Sequence, residues 1–296
     1  MIARIQQLVA FALLGLTLAA FTLGARDQSP LLGPIWIAMI AGGYVAVLVI
    51  EFAWVRASYD RHDPLRPGLS RLLSACVVEA LTAPRVFAWR QPFRSRRQPD
   101  RVDEVCGRRG LVLVHGFFCN RGLWNPWLER LRREGVPFVA LNLEPIFGGI
   151  DDYGPTIDDG VKRLHAATGV APVVVAHSMG GLAVRAWLAG TDCARIHRLI
   201  TIASPHAGTR MATRGHGHNV AQMRPDSDWL AQLAAREDGR ARERFVCFWS
   251  HCDNIVFPTR NATLPGADNR HLEATPHVAM VYHPEVFAAA KAALAG

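Results

Sequence analysis

Hydrophobic patterning divides the chain into an apolar start, a basic middle and a longer alternating part. Ile5 to Ala25 is an uncharged and mostly apolar run, and Leu31 to Ile50 is a second. About 20 residues of helix, at 1.5 Å each, cross the roughly 30 Å of hydrocarbon in a bilayer. Both runs are therefore expected to span a membrane, as a helical hairpin over residues 1–56. The second run ends in Phe52, Trp54 and Tyr59, side chains that favour the membrane interface. Gly15, Ala19 and Ala20 on the first run, with Gly42 and Gly43 on the second, permit close helix contact. The first run also fits a signal peptide, with Arg4 as its charged start and Ala25 as a small residue near a cleavage point. Two core helices of a soluble protein fit less well, given the length of the runs and their lack of charge.

Residues 57–107 form a connector rich in Pro and Arg. Within it Leu69, Leu72, Leu73, Cys76, Val77 and Ala80 recur at helical spacing, while Arg71 and Glu79 fall off that stripe. An amphipathic helix is expected there, either in the lipid interface or packed on the domain that follows.

From residue 108 onward short apolar runs alternate with helical patterns. Strands are expected at Leu111–Val114, Phe138–Leu143, Val173–Val175, Leu199–Ala203 and Phe245–Trp249. Helices are expected around Trp124–Leu131, Thr156–Ala167, Leu182–Leu188 and Phe287–Leu294. This rhythm predicts an α/β domain, a mostly parallel sheet with helices on both faces. Residues 207–243 interrupt it and are expected to form a lid or cap.

Charge sets the middle segment apart. The chain's net charge is +8, but residues 56–110 hold 12 Arg against 6 acids, most of the excess. One basic segment is not a basic globule, which argues against a nucleic-acid-binding domain. Arg56, Arg61, Arg66 and Arg71 closely follow the second apolar run, and the loop between the runs has only Arg26. The positive-inside rule then places both termini and the alternating part of the chain in the cytoplasm. A secreted or periplasmic location is the alternative if the apolar runs are removed. Six cysteines (Cys76, Cys106, Cys119, Cys193, Cys247 and Cys252) have no CxxC spacing and read as reduced thiols.

The chemistry centres on Val173–Gly181. A β-branched strand runs into Ala176-His177-Ser178-Met179-Gly180 and then into an apolar helix. Such a strand-turn-helix lifts the Ser178 hydroxyl out where a substrate can reach it. A neutral serine needs a base and an oxyanion hole to act as a nucleophile.

Three further segments complete a resemblance. With the elbow at 176–180, Val114-His115-Gly116-Phe117 and Ser204-Pro205-His206-Ala207-Gly208-Thr209 resemble segments of the α/β-hydrolase fold, in particular bacterial lipases and esterases. Asp253-Asn254-Ile255-Val256-Phe257-Pro258 resembles their D-x-x-V-x-P segment. The resemblance covers residues 108–296, and Ala176 departs mildly from the family's first elbow glycine. It implies Ser178 as nucleophile, His277 as base, ahead of His271 and His283, and Asp253 as orienting acid, ahead of Asp226, Asp228 and Asp268. Backbone N–H groups of Phe117 and Met179 would form the oxyanion hole. Phe118 and Trp124 are candidates for the acyl pocket, although a tryptophan at helical spacing more often belongs to a core. His206 reads as structural.

No His/Asp/Glu cluster demands a metal and no cofactor is implied. The expected activity is membrane-associated hydrolysis of lipid-like carboxylic esters through an acyl-enzyme. An acyltransferase or thioesterase using the same triad is the alternative, and a non-catalytic binding domain is a third.

Overall fold

The computed structural model describes residues 1–102, 107–237 and 239–295. Cys106 lies outside the described residues, and the other five cysteines are free thiols.

The two apolar runs are helices α1 (Ile2–Arg26) and α2 (Leu32–Ala57), packed as a hairpin. Most of their large apolar side chains are exposed, Leu8, Phe11 and Val49 among them. A third helix, α3 (Leu69–Pro84), continues through π-helical turns at Arg85–Arg90 into α4 (Gln91–Arg94). Pro84 has no amide hydrogen to give the preceding turn, which accounts for the widened ladder that follows it. By length and composition α1, α2 and the continuous 69–94 helix are each apolar enough to cross a membrane.

The amphipathic stripe expected on 69–80 divides in two. Leu72 and Ala75 pack with Phe52 of α2 and with Cys252, whereas Leu69, Leu73 and Val77 stay exposed. Glu79, read from spacing as off the apolar face, is instead buried. Helical periodicity reports apolar faces, and this buried position is occupied by a carboxyl group with partners elsewhere in the chain.

Among the described residues the α/β domain is built on six parallel strands: β1 (Leu111–Val114), β2 (Phe138–Ala140), β3 (Val173–His177), β4 (Arg198–Ile202), β5 (Phe245–Trp249) and β6 (Asp268–His271). Their spatial order is β2-β1-β3-β4-β5-β6. Alternate residues face opposite sides, as the strand period of two requires. Val112, Val114, Val174 and Ala176 meet α6 (Gly154–Thr168) and α7 (Met179–Ala189). Leu111, Leu113, Val173 and Val175 meet α5 (Asn125–Arg133) and α10 (Pro284–Ala295). Two shorter helices, α8 (His218–Gln222) and α9 (Asp228–Arg236), lie in the segment between β4 and β5.

Strand β2 is shorter than its apolar run, which continues to Leu143. The Leu141 amide still donates to the Leu113 carbonyl at 3.0 Å, but two residues on the Leu143 amide donates to His115 Nε2 at 3.0 Å instead of extending the ladder. All six strands run the same way, so the loops leaving β1, β3, β5 and β6 gather at one edge of the sheet. In parallel α/β sheets, ligands bind at that carboxyl edge.

Candidate active site

Ser178 stands between β3 and α7 with φ +54° and ψ −130°. A residue with a side chain rarely adopts that region, and such strain concentrates at functional sites. The turn is held by its surroundings. The Ser178 amide donates to the Ile202 carbonyl at 2.9 Å. A Cβ on Gly180 would lie 2.5 Å from the His115 carbonyl oxygen, so only glycine lets α7 start against the β1 loop. A Cβ on Gly116 would lie 2.7 Å from Ser178 Cβ, which puts the β1 loop directly against the serine.

His115 secures that loop. Its Nδ1 lies 2.9 Å from the Gly116 carbonyl, while Nε2 accepts from Leu143. Burial pushes its pKa down to about 4, so the ring is neutral near pH 7 and the two bonds assign the proton to Nδ1. Phe117 follows Gly116. Met179 opens α7, where first-turn amides have no acceptor within the helix.

His277 and Asp253 meet after β6 and β5. His277 Nδ1 lies 2.9 Å from Asp253 Oδ1 and 3.1 Å from Oδ2. Asp253 is fully buried, and its Oδ1 also accepts from the Ile255 and Val256 amides, each at 2.9 Å. Those bonds fix the orientation of the carboxyl group. Burial pulls the His277 pKa down, but the Asp253 charge and hydrogen bond, with Glu79 and Glu51 adding negative charge, hold it above the ordinary histidine value. His177, just before the serine, is buried with its ring centroid 4.7 Å from that of His277.

Ser178 and His277 line one cavity of about 520 Å³. Its remaining wall is mostly apolar. Thr209, Met211, Val220 and Met223 come from the segment expected to form a cap, and Leu48 and Ala83 come from α2 and α3. The N-terminal helices therefore close one side of the site, which sequence reasoning did not anticipate.

The other candidates lie elsewhere. His271 pairs with His251 at 2.7 Å, and His283 precedes α10. Asp268 pairs with Arg270 on the exposed edge strand, Asp226 precedes α9 and Asp228 opens it. His206 is buried against Thr201 and takes Arg185 on its carbonyl, a structural setting.

Two pocket candidates are corrected. Trp124 is completely buried against Trp127 in the core between the sheet and α5, because its helical face points at the sheet. Phe118 is exposed in a cluster with Phe117 and Phe147; of the three, only Phe117 lines the cavity. Among the described residues no three His, Cys, Asp or Glu side chains are grouped to hold a metal ion.

Two residues at the site escaped the sequence: Glu79 and Glu51 both line the cavity. The available signal was an ionisable side chain within or beside a long apolar helix, which is costly to bury and marks function.

Comparison with known proteins places this geometry in context. A family profile described as the alpha/beta hydrolase family matches residues 111–250. Bacillus licheniformis lipase BlEst2 in its mature form superposes with a TM-score of 0.56 at 17% identity, over 64% of this chain and 92% of that one. Its propeptide form gives 0.51 at 18% identity, over 62% of this chain and 48% of that one. Aspergillus fumigatus lipase B gives 0.54 at 17% identity, over 64% of this chain and 53% of that one. The chain thus spans about half the length of the latter two. No curated protein shows significant sequence similarity. The likeness to these structures is one of fold.

Proposed function

Starting from a chain with the α/β-hydrolase fold and with lipases among its structural neighbours, we propose that this protein is a membrane-associated serine hydrolase that cleaves carboxylic esters with lipid-like acyl chains. The observation that carries the proposal is the buried His277–Asp253 pair opening on the same apolar cavity as the strained Ser178.

Ser178 Oγ attacks the ester carbonyl carbon as His277 Nε2 takes its proton. Asp253 holds Nδ1–H and so keeps Nε2 free to act. The amides of Phe117 and Met179 stabilise the oxyanion of the tetrahedral intermediate. Collapse breaks the carbon–oxygen bond to the alcohol, which leaves with the proton from His277. Water, deprotonated by the same ring, then attacks the acyl-Ser178 ester; the bond from the acyl carbon to Oγ breaks, His277 returns the proton to Ser178 Oγ, and the acid is released.

The apolar wall favours an alkyl chain over a polar leaving group. The exposed apolar surfaces of α1 and α2 support a membrane placement. The catalytic domain lies beside the end of α2 that precedes the basic connector, through Glu51–Asn254 at 2.7 Å and the Arg214 guanidinium 4.1 Å from the Trp54 ring centre. A cytoplasmic domain, with α3 laying Leu69, Leu73 and Val77 in the lipid interface, fits that arrangement.

A chain-length series of esters, assayed in detergent and in vesicles with product identification, tests the proposal. Release of free acid, favouring medium or long chains and lost in Ser178→Ala, is expected. Transfer of the acyl group to an added alcohol or thiol with little free acid would instead assign an acyltransferase. No turnover by folded protein would overturn the enzymatic reading.

A further inference from the structure

We propose that Glu79 of α3 and Glu51 of α2 are positioning residues for the reaction at Ser178, so that the apolar N-terminal helices form part of the catalytic machinery. The proposal rests on the serine-hydrolase reading above.

Three consecutive backbone amides carry the inference. The His277 amide donates to Asn254 Oδ1 at 3.2 Å, and Asn254 Nδ2 in turn donates to Glu51 Oε2 at 2.7 Å. The Val278 amide donates to Glu79 Oε1 at 2.8 Å, and the Ala279 amide donates to Glu79 Oε2 at 3.2 Å. The base loop is thus held at 277, 278 and 279 by side chains that lead back to two N-terminal helices. Asn254 also follows Asp253 directly, so the Glu51 contact braces the loops of the acid and the base together.

Packing alone does not require these carboxylates. Leu72 and Ala75, on the same buried side of α3, meet the domain as apolar groups. Glu79 is only 2% exposed, and an isolated carboxylate at such a site is costly unless hydrogen bonds compensate it. Its two oxygens take the two amides that open the 3₁₀ turn at Ala279–Tyr282, which lack acceptors within that turn. The same contacts bring negative charge toward the imidazolium that forms when His277 takes the serine proton. A shift of about 1 Å in a base can cost about 100-fold in rate, and the anchoring acts directly on the backbone that sets that distance.

The test uses full-length protein in detergent, a short soluble ester and a fluorophosphonate probe. In Glu79→Gln one acceptor becomes a donor facing an amide. We expect kcat to fall about 10- to 100-fold with KM within about threefold. The acid limb of the pH profile should move to lower pH, because His277 loses a stabilising negative charge. Glu51→Ala should lose about tenfold in kcat, and Glu51→Gln, whose carbonyl can still accept from Asn254, should recover part of that loss. A folded Glu79→Gln with wild-type kcat and an unmoved acid limb would overturn the proposal. If Glu79→Gln fails to fold, the Glu51 pair decides: equal rates in Ala and Gln variants overturn it. Wild-type protein that never labels would overturn the hydrolase reading beneath it, whereas a labelled wild type with an equally labelled Glu79→Gln overturns the positioning role alone.

Discussion

Asp253 and His277 lie 24 residues apart in the chain and share a bidentate contact of 2.9 and 3.1 Å, with the carboxylate fully buried. The pair requires two loops, one after β5 and one after β6, to converge at the carboxyl edge of the sheet. Asp253→Asn keeps the shape but can donate to Nδ1 and stabilise the wrong tautomer. Ester turnover should fall about 10³- to 10⁴-fold with little change in melting temperature. Steady-state kinetics beside a thermal melt checks this, and a loss below tenfold would remove Asp253 from the role.

The same contact sets the pH dependence. Net of burial, Asp253 and the neighbouring carboxylates raise the His277 pKa above its ordinary 6.5. A raised pKa means the ring stays protonated to higher pH, and the protonated ring cannot accept the serine proton. Activity should therefore rise with pH along an acid limb whose midpoint lies above 6.5. A kcat/KM profile over the neutral range measures it, and a midpoint well below that value would contradict the assignment.

Gly180 tests the turn itself. Its Cβ would collide with the His115 and Val114 carbonyl oxygens at 2.5 and 2.9 Å, both backbone atoms at the end of β1 and the start of the loop after it. Gly180→Ala should separate that loop from Ser178, costing about 1–3 kcal/mol in stability and most of the activity. Chemical denaturation and an ester assay report the two effects separately.

Much of this was legible from local pattern. The β-branched run of β3, the small residues around Ser178 and the apolar start of α7 are consecutive, so their geometry follows from neighbours in sequence. For His277 and Asp253 the expectation rests on the order that the resemblance supplies, and the structure brings the two side chains together. Glu79 was not legible: its partners lie 199 and 200 residues away, and helical spacing places it off the apolar face. Trp124 failed for a related reason. A tryptophan at helical spacing looks the same whether its face meets a pocket or a sheet, and here it meets the sheet.

Trp124 and Ala83 separate core from pocket. Trp124→Ala should cost about 3–5 kcal/mol in stability and leave the preference for acyl length unchanged in the surviving folded fraction. Ala83 lines the cavity from α3, so Ala83→Trp should shift preference toward shorter chains while Ser178 still labels. A competition assay with mixed-length esters distinguishes them.

The most direct measurement is covalent. Full-length protein treated with a fluorophosphonate probe, digested and mapped by mass spectrometry should carry the adduct on Ser178, and labelling should vanish in Ser178→Ala. An adduct on another residue, or labelling that survives in folded Ser178→Ala, would contradict the assignment of Ser178 as the nucleophile.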